Sequence, residues 1–167
     1  SAINNNITSP IITNNLKLEI IDFSNNIINS IDLKENINLN YINLENNELK
    51  QINLNQNIGL DDLYLANNFI KDLNIDKNVE LKNVYFQNNQ LDSLDITNNL
   101  LLKTINVENN KLRYLNTIKN SDITKLIIKN NNLVSLDVSK NLNLKKLDIS
   151  QNIDLMCVKV NSEQLNS

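Results

Sequence analysis

The sequence predicts a β-rich solenoid, a single coil of about eight turns in which each turn adds one strand to a parallel sheet. Three observations predict it: a constant period of 21 residues, alternation of apolar and polar residues within the period, and Asn at fixed places in it. Self-similarity at such a period is typical of coils whose turns are unstable alone and bury a shared core. The length of 167 residues suits one domain of this kind.

The period follows from one column of residues spaced 21 apart, which we number as position 0 of each turn. Apolar residues recur at positions 0, 3, 5, 10, 13, 15 and 19, and fill 40 of the 42 such places in the six complete repeats. We expect all of these columns to point inward. The exceptions are Thr117 and Ser121, where we expect a local bulge. The column at position 0 is Leu18, Leu39, Leu60, Leu81, Leu102, Ile123 and Leu144.

Two segments of each turn have the alternation of a half-buried strand. The first covers positions 2 to 6, and its stacking at about 4.8 Å per turn gives one parallel sheet. The second covers positions 13 to 15, as in Leu73-Asn74-Ile75. We expect it to form an extended segment on the opposite side, with little or no helix, because 21 residues leave little room for a helix and two turns.

Asn takes the place of the usual turn residues, since the chain has one Gly and one Pro but 39 Asn. Asn tolerates left-handed backbone geometry, and its amide both donates and accepts hydrogen bonds. We therefore predict structural columns of Asn at the corners of the coil, at positions 8 and 18. Position 8 is Asn26, Asn47, Asn68, Asn89, Asn110, Asn131 and Asn152, and position 18 is Asn36, Asn57, Asn78, Asn99, Asn120 and Asn141.

Each turn reads L-x-x-L-x-L-x-x-N-x-L, as in Leu60 to Ile70, and thereby resembles the leucine-rich repeat. The second half of the turn, as in Leu94-Asp95-Ile96-Thr97-Asn98-Asn99, is similar to the short form found in secreted and surface proteins of bacteria, the neighbourhood of the internalins. The resemblance implies a right-handed, curved superhelix whose parallel sheet lines the concave face. It also implies a secreted or cell-surface bacterial protein that takes part in adhesion or recognition.

The repeats divide the chain into a repeat domain over residues 1–160 and a polar tail or linker over residues 161–167. A partial turn covers residues 1–17, and a capping turn covers about 144–160. Cys157 has an apolar phase in this last turn, so we expect it to be buried in the cap. No signal sequence opens the chain, and we expect any signal peptide to lie outside these residues.

Composition argues against most kinds of chemistry. Without His, and with one Cys and one Gly, the chain lacks His-based metal sites, His-dependent catalytic triads and phosphate-binding glycine loops. The net charge of −3 does not favour nucleic acid, and no apolar run could insert in a membrane. Asp61 and Asp62 are adjacent carboxylates, but consecutive strand residues point to opposite sides, which is poor geometry for a catalytic acid and base. We therefore expect no enzymatic activity, no cofactor and no metal. We also expect the protein to be a monomer.

One column could still suggest a metal. Position 14 holds only Asp or Asn, and stacked oxygen ligands can bind Ca²⁺. Solvated ladders of such residues are commoner, and we favour that interpretation. The column is Asp32, Asn53, Asn74, Asp95, Asn116 and Asp137.

Positions 2, 4 and 6 lie on the outer side of the predicted sheet, where the core does not dictate residue type. Three of the four Tyr lie there in successive turns, and we expect Tyr64 and Tyr85 to stack and Ile127 to be exposed. Tyr is enriched at interfaces, although it also stabilises strand ladders, and lysines on such a face can be simply solvated. The candidate partner-binding residues are Tyr41, Glu45, Asp62, Tyr64, Tyr85, Gln87, Lys125, Ile127 and Lys129.

The leading functional hypothesis is non-catalytic recognition of a protein, or of a glycan, through this face. One alternative is a structural spacer that displays another domain and has no ligand of its own. Another is an intracellular regulatory scaffold, which a signal peptide in the full gene would exclude.

Overall fold

The computed structural model describes residues 1–162, which contain nine strands of three residues each and no helix. Residues 163–167 of the predicted tail lie outside the described residues. The strands are β1 (Ile20–Asp22), β2 (Tyr41–Asn43), β3 (Asp62–Tyr64), β4 (Asn83–Tyr85), β5 (Thr104–Asn106), β6 (Lys125–Ile127), β7 (Ser135–Asp137), β8 (Lys146–Asp148) and β9 (Cys157–Lys159).

Seven of these strands form one parallel sheet in the order β1-β2-β3-β4-β5-β6-β8. Each pair is in register at a separation of 21 residues, as Leu63 with Val84 and Leu126 with Leu147. The partial N-terminal turn lies along β1, where the amide N–H groups of Ala2 and Asn4 donate to the carbonyls of Asp22 and Ser24. The predicted parallel solenoid is therefore confirmed, with seven strand-bearing turns and one partial turn.

The core is a continuous column of Leu, Ile, Val and Phe that runs through all turns. The middle residue of each strand points into it, and Ile42, Leu63 and Val84 are fully buried. Phe86 is the largest fully buried side chain. Because every turn contacts only its neighbours, this stacking supplies the burial that no single turn could provide.

One apolar column does not join the core, and the prediction that all of them point inward is wrong there. Position 19 falls between the Asn of position 18 and the Leu of the next position 0. These residues form a tight turn, and the Leu39 N–H, for example, donates to the Asn36 carbonyl to close it. Side chains at the corner of such a turn point away from the coil. They form an exposed apolar ridge, with 44–67% of each side chain accessible: Leu16, Ile37, Ile58, Val79, Leu100 and Leu142.

The Asn at position 8 fastens each turn to its neighbours through backbone groups. Asn68 is representative: its Nδ2 donates to the carbonyl of Leu44 in the preceding turn at 2.9 Å and to that of Leu65 in its own turn at 3.1 Å. Its Oδ1 accepts from the N–H of Leu49 at 2.9 Å. The side chain is buried, so these bonds satisfy backbone groups that water cannot reach.

The Asn at position 18 makes a second set of bonds between turns. Asn57 Nδ2 donates to the carbonyls of Leu33 and Asn36, at 3.1 and 2.8 Å. Its Oδ1 is buried without a hydrogen-bond partner among residues 1–162. This pattern recurs for Asn36, Asn99 and Asn120.

Thr117 keeps its place in the core, and the bulge predicted there is wrong. Its side chain is 1% exposed, and its carbonyl accepts from the Asn120 N–H as in the other turns. Its hydroxyl lies 2.9 Å from the Asp137 carbonyl and 2.8 Å from Asn141 Oδ1, both of which can accept from it. The polar group is thus bonded where it is buried, and the backbone needs no adjustment.

The left-handed backbone residues occupy position 7, not the predicted positions 8 and 18. Seven Asn and one Gln have φ between 51° and 61°, one in each turn. On the surface, the Asn side chains of successive turns are also linked, as Asn88 Nδ2 donates to Asn67 Oδ1 at 2.7 Å. The column is Asn4, Asn25, Asn46, Asn67, Asn88, Asn109, Asn130 and Gln151.

The side opposite the sheet is extended without regular strands, except at its C-terminal end, where β7 pairs with β9. The column at position 14 serves this side. Each of its oxygens accepts the backbone N–H two residues later, as Asn74 does from Asp76 at 2.9 Å and Asp95 from Thr97 at 2.9 Å. These short loops give the column a structural purpose without an ion. Within residues 1–162, no group of three or more Cys, Asp or Glu is placed to hold a metal ion.

The last turn contains one extra residue, because β7 and β9 pair Ser135 with Cys157 at a separation of 22. The insertion turns Val158 and Val160 toward the core and leaves Cys157 exposed. The prediction of a buried Cys157 is therefore wrong, because its phase was read with the 21-residue period.

Replacing Asn68 with Ala should lower the free energy of unfolding by about 2–4 kcal/mol, because several buried backbone groups lose their partner. Chemical denaturation of the variant and of Asn29→Ala, an exposed Asn, tests this. Equal stability of the two variants would contradict the bonding role of the position 8 column.

Within residues 1–162, Gln151 is the only left-handed residue other than Asn, so Gln151→Gly should raise the free energy of unfolding by about 1 kcal/mol. Gln90→Gly is the control, since Gln90 does not have a positive φ and Gly there only adds flexibility. Urea unfolding compares them, and a Gln151→Gly variant less stable than wild type would refute the strain.

Candidate binding face

The outer side of the seven-stranded sheet presents two rows of side chains. In β2 to β5 the first and third residues are partly exposed while the middle one is buried, and the strand register places positions 2 and 4 in parallel rows across the turns. Position 6 lies at the edge of these rows and is partly covered: Ser24 and Ala66 are buried, whereas Glu45 and Gln87 are half-buried. We call these three positions the sheet face.

Three tyrosines form one cluster on β2, β3 and β4. The rings of Tyr64 and Tyr85 are in register and stack with centroids 4.7 Å apart and planes 5° apart. Tyr41, one row away, lies 5.3 Å from Tyr64 at an angle of 40°. Such pairs add about 0.5–1.5 kcal/mol each beyond the burial of their surface. The tyrosine cluster is thus a rigid, half-exposed aromatic surface.

Two residues of the cluster, Tyr64 and Tyr85, replace the Asp or Asn that four of the other five turns use at position 4 to bond their own backbone. At position 4, Asp22 and Asn43 accept the N–H two residues later, at 3.1 and 3.0 Å. Asn106 and Asp148 do the same, both at 3.1 Å. Position 14 makes this bond in all six turns on the opposite side, but Tyr64, Tyr85 and Ile127 have no acceptor with which to make it at position 4. The three turns that lack this bond therefore lack it on the sheet face. Each of them loses a hydrogen bond worth about 0.5–1.5 kcal/mol.

Carboxylates surround the N-terminal side of the tyrosine cluster. Asp62 shares the row of Tyr41, and its Oδ1 accepts from Asn83 Nδ2 at 2.7 Å. Burial and the charge of Asp22 raise the pKa of Glu45. Burial, together with Asp62, the neighbouring tyrosines and Glu45, raises the pKa of Tyr64 to about 12. Asp22 was not among the candidate residues, although its place in register beside Asn43 could have identified it.

The C-terminal end of the sheet face is different. Lys129 forms an ion pair with Glu108 at 3.4 Å, and Lys125 is half-buried on β6. Ile127 is only 6% exposed, so the expectation that it stands free on this face is wrong. Long lysine stems on either side can cover such a side chain. The sequence-predicted candidates therefore fall into two groups, with the aromatic and acidic residues on or just after β2–β4 and the lysines on or just after β6.

Comparison with solved structures identifies the architecture. The chain superposes on an internalin C2 from Listeria monocytogenes with a TM-score of 0.80 and 21% identity, over 96% of this chain and 79% of that one. An internalin (inlF) of the same organism gives 0.78 at 21% identity, over 88% and 49%. The chain has the leucine-rich repeat fold.

A further leucine-rich repeat neighbour is the ectodomain of the receptor kinase GASSHO1/SCHENGEN3 of Arabidopsis thaliana, solved in complex with CASPARIAN STRIP INTEGRITY FACTOR 2. It gives a TM-score of 0.70 at 22% identity, over 79% of this chain and 18% of that one. The present chain thus spans about half the length of inlF and a smaller part of the plant ectodomain.

No protein-family model matches the sequence, and no curated protein does either. Among residues 1–162, no helix has the length and apolarity to cross a bilayer. In the leucine-rich repeat superhelix the sheet lines the concave side, so the tyrosine cluster and its carboxylates lie within the curve of the coil.

The raised pKa of Glu45 makes a prediction about stability. A carboxyl whose folded pKa lies above its unfolded value is destabilising when ionised, and this penalty disappears as pH falls below the unfolded pKa. Glu45→Gln should therefore raise the melting temperature at pH 7 and have no such effect at pH 3. Thermal unfolding at both pH values tests this, with the exposed Glu35→Gln as control; a stabilising effect that persists at pH 3 would disprove the ionisation argument.

Proposed function

We propose that this chain is a non-catalytic recognition module that binds a protein partner through the sheet face, with the tyrosine cluster at the centre of the contact. One observation carries the proposal: Tyr64 and Tyr85 occupy places where four other turns use an Asp or Asn to close a backbone loop. Departures from a locally favoured residue are expected at functional sites.

The properties of the cluster suit an interface centre. Tyr41, Tyr64 and Tyr85 are half-buried and already ordered by mutual contact, so a partner gains aromatic area without fixing flexible side chains. Tyr is enriched in interface cores, and its hydroxyl can bond at the rim. A protein partner is favoured over a glycan because the surface is an open strip along a sheet, and such strips suit extended protein contacts.

The setting proposed for the whole protein is that of a secreted or cell-surface bacterial protein that engages a host or neighbouring molecule. The internalin likeness of the repeats and the superposition on two Listeria internalins support this setting. The plant ectodomain is a leucine-rich repeat protein solved with a bound factor, and we propose partner binding for the present chain in the same general sense.

A capture experiment tests the proposal. Immobilised wild type, Tyr64→Ala/Tyr85→Ala and Tyr114→Ala are exposed to extracts of host-cell surfaces and to serum. Tyr114 is 63% exposed away from the sheet face and is the matched control. We expect a partner that wild type and Tyr114→Ala retain and that the double variant binds at least about tenfold more weakly, since central aromatic residues dominate such interfaces.

The circular dichroism spectrum and the melting temperature of each variant establish that it is folded. Equal capture by all three proteins would place the site away from the cluster. The absence of any captured protein would favour the alternative of a spacer without a ligand of its own.

A further inference from the structure

Resting on the proposed function, we infer that the tyrosine cluster receives a cationic side chain of the protein partner, an arginine guanidinium, which lies against the aromatic rings and pairs with Asp22, Glu45 and Asp62. These three residues are called the acidic group below. The inference depends on the position of the rings, the position of the carboxylates and the fact that no ion pair within residues 1–162 includes these carboxylates.

The rings and the carboxylates are interleaved on three adjacent strands. The register places Ile20, Tyr41 and Asp62 in one row and Asp22, Asn43 and Tyr64 in the next. Diagonal neighbours on a sheet are roughly 7–8 Å apart, within reach of long side chains. A ligand that covers Tyr41 and Tyr64 is therefore bordered by carboxylates from both rows, and by Glu45 at the end of β2.

The acidic group brings three carboxylates together beside the tyrosine rings, and none of the three has an ion pair in the described part of the chain. Within residues 1–162 the ion pairs join Lys34 with Asp32, Lys71 with Asp92, Lys82 with Asp61, Lys129 with Glu108 and Lys159 with Asp137. None includes Asp22, Glu45 or Asp62. At the other end of the face, by contrast, Glu108 forms an ion pair with Lys129, and the hydrogen bonds of Ser150 together with the charges of Lys129 and Lys146 lower the pKa of Asp148.

The titrating groups of this surface are affected by burial and by the nearby carboxylates. Burial first, and then the negative charge of neighbouring carboxylates, raises the pKa values of Tyr41, Glu45 and Tyr64, so each of these sites disfavours a further negative charge. A positive charge placed among them is attracted by all three carboxylates and by the electron-rich faces of the rings.

Arginine fits this surface better than lysine does. Its guanidinium is planar, stacks on aromatic rings and presents several N–H donors in one plane, which can meet carboxylates on both sides. The ammonium of lysine is a compact, strongly hydrated charge that loses more solvation on the same surface. Asn83, whose Nδ2 donates to Asp62, lies in the same row and can offer its amide oxygen as a further acceptor.

The test uses NMR of protein labelled at its tyrosine rings and the peptide N-acetyl-Gly-Arg-Gly-amide as probe. The control peptide has citrulline in place of arginine, and citrulline has the shape of arginine without the charge. We expect saturable shifts of the Tyr41 and Tyr64 signals with the arginine peptide, at least about tenfold weaker binding of the citrulline peptide, and no shift of Tyr114.

A neutral variant tests the carboxylates. Asp22→Asn/Glu45→Gln/Asp62→Asn keeps an oxygen acceptor at each place, so the bonds from Ser24 and Asn83 remain possible. It should bind the arginine peptide at least about tenfold more weakly than wild type. The matched control Glu35→Gln/Asp72→Asn/Asp76→Asn makes the same change of net charge at exposed places elsewhere and should bind within about twofold of wild type.

Equal shifts with arginine and citrulline, unchanged binding by the neutral variant, or no saturable shift of Tyr41 and Tyr64 would each overturn the inference. Failure here is distinguishable from failure of the proposed function. A partner captured through Tyr64 and Tyr85 but insensitive to the acidic group would keep the recognition module and reject the cationic contact.

Discussion

Every turn of this solenoid depends on one interaction, the bonding of a buried Asn amide to backbone groups of the neighbouring turn. In a coil of this kind the corners cannot pair their N–H and C=O groups in a sheet, and water does not reach them. The position 8 Asn solves this problem from inside: Asn47, for example, donates to Phe23 and Leu44 and accepts from Ile28. These bonds hold neighbouring turns at a fixed spacing, and Leu, Ile and Val side chains fill the interior between them.

The fold could be predicted because every turn must bury the same kinds of side chain at the same positions. Repetition of Asn26 through Asn152 and of the apolar columns is visible in sequence, and no long-range pairing had to be guessed. The errors have local causes. Ile37 and its equivalents lie in the phase of the core, but a tight turn directs them outward. Cys157 follows an extra residue that only the strand pairing reveals. Thr117 is buried because its hydroxyl finds partners that belong to the next turn.

The candidate site was predictable in part. The rows of the sheet follow from the period, so the proximity of Tyr41, Tyr64 and Tyr85 could be expected from their positions alone. The burial of Ile127 could not, because it depends on how flexible neighbours lie across the surface. The period also does not show which carboxylates have an ion pair, since a long Lys side chain can reach carboxylates at several positions of its own turn or of a neighbouring turn. The period places Asp22 in register beside Asn43, but it does not show that Asp22 has no ion pair among the residues that the structure describes.

The strict 21-residue frame has a consequence for how such a chain can change. The bonds that the Asn of positions 8 and 18 make between turns join residues at fixed separations of 19, 21 or 24, so the removal of one whole turn from the middle of the array joins equivalent ends and preserves each type of bond. Recombination between repeats is then tolerated by the fold at almost any turn. It shifts the lysine-bearing strands relative to the tyrosines by about 4.8 Å for each turn gained or lost. The spacing between the two ends of the sheet face is therefore a property that can evolve by whole turns while each turn stays the same.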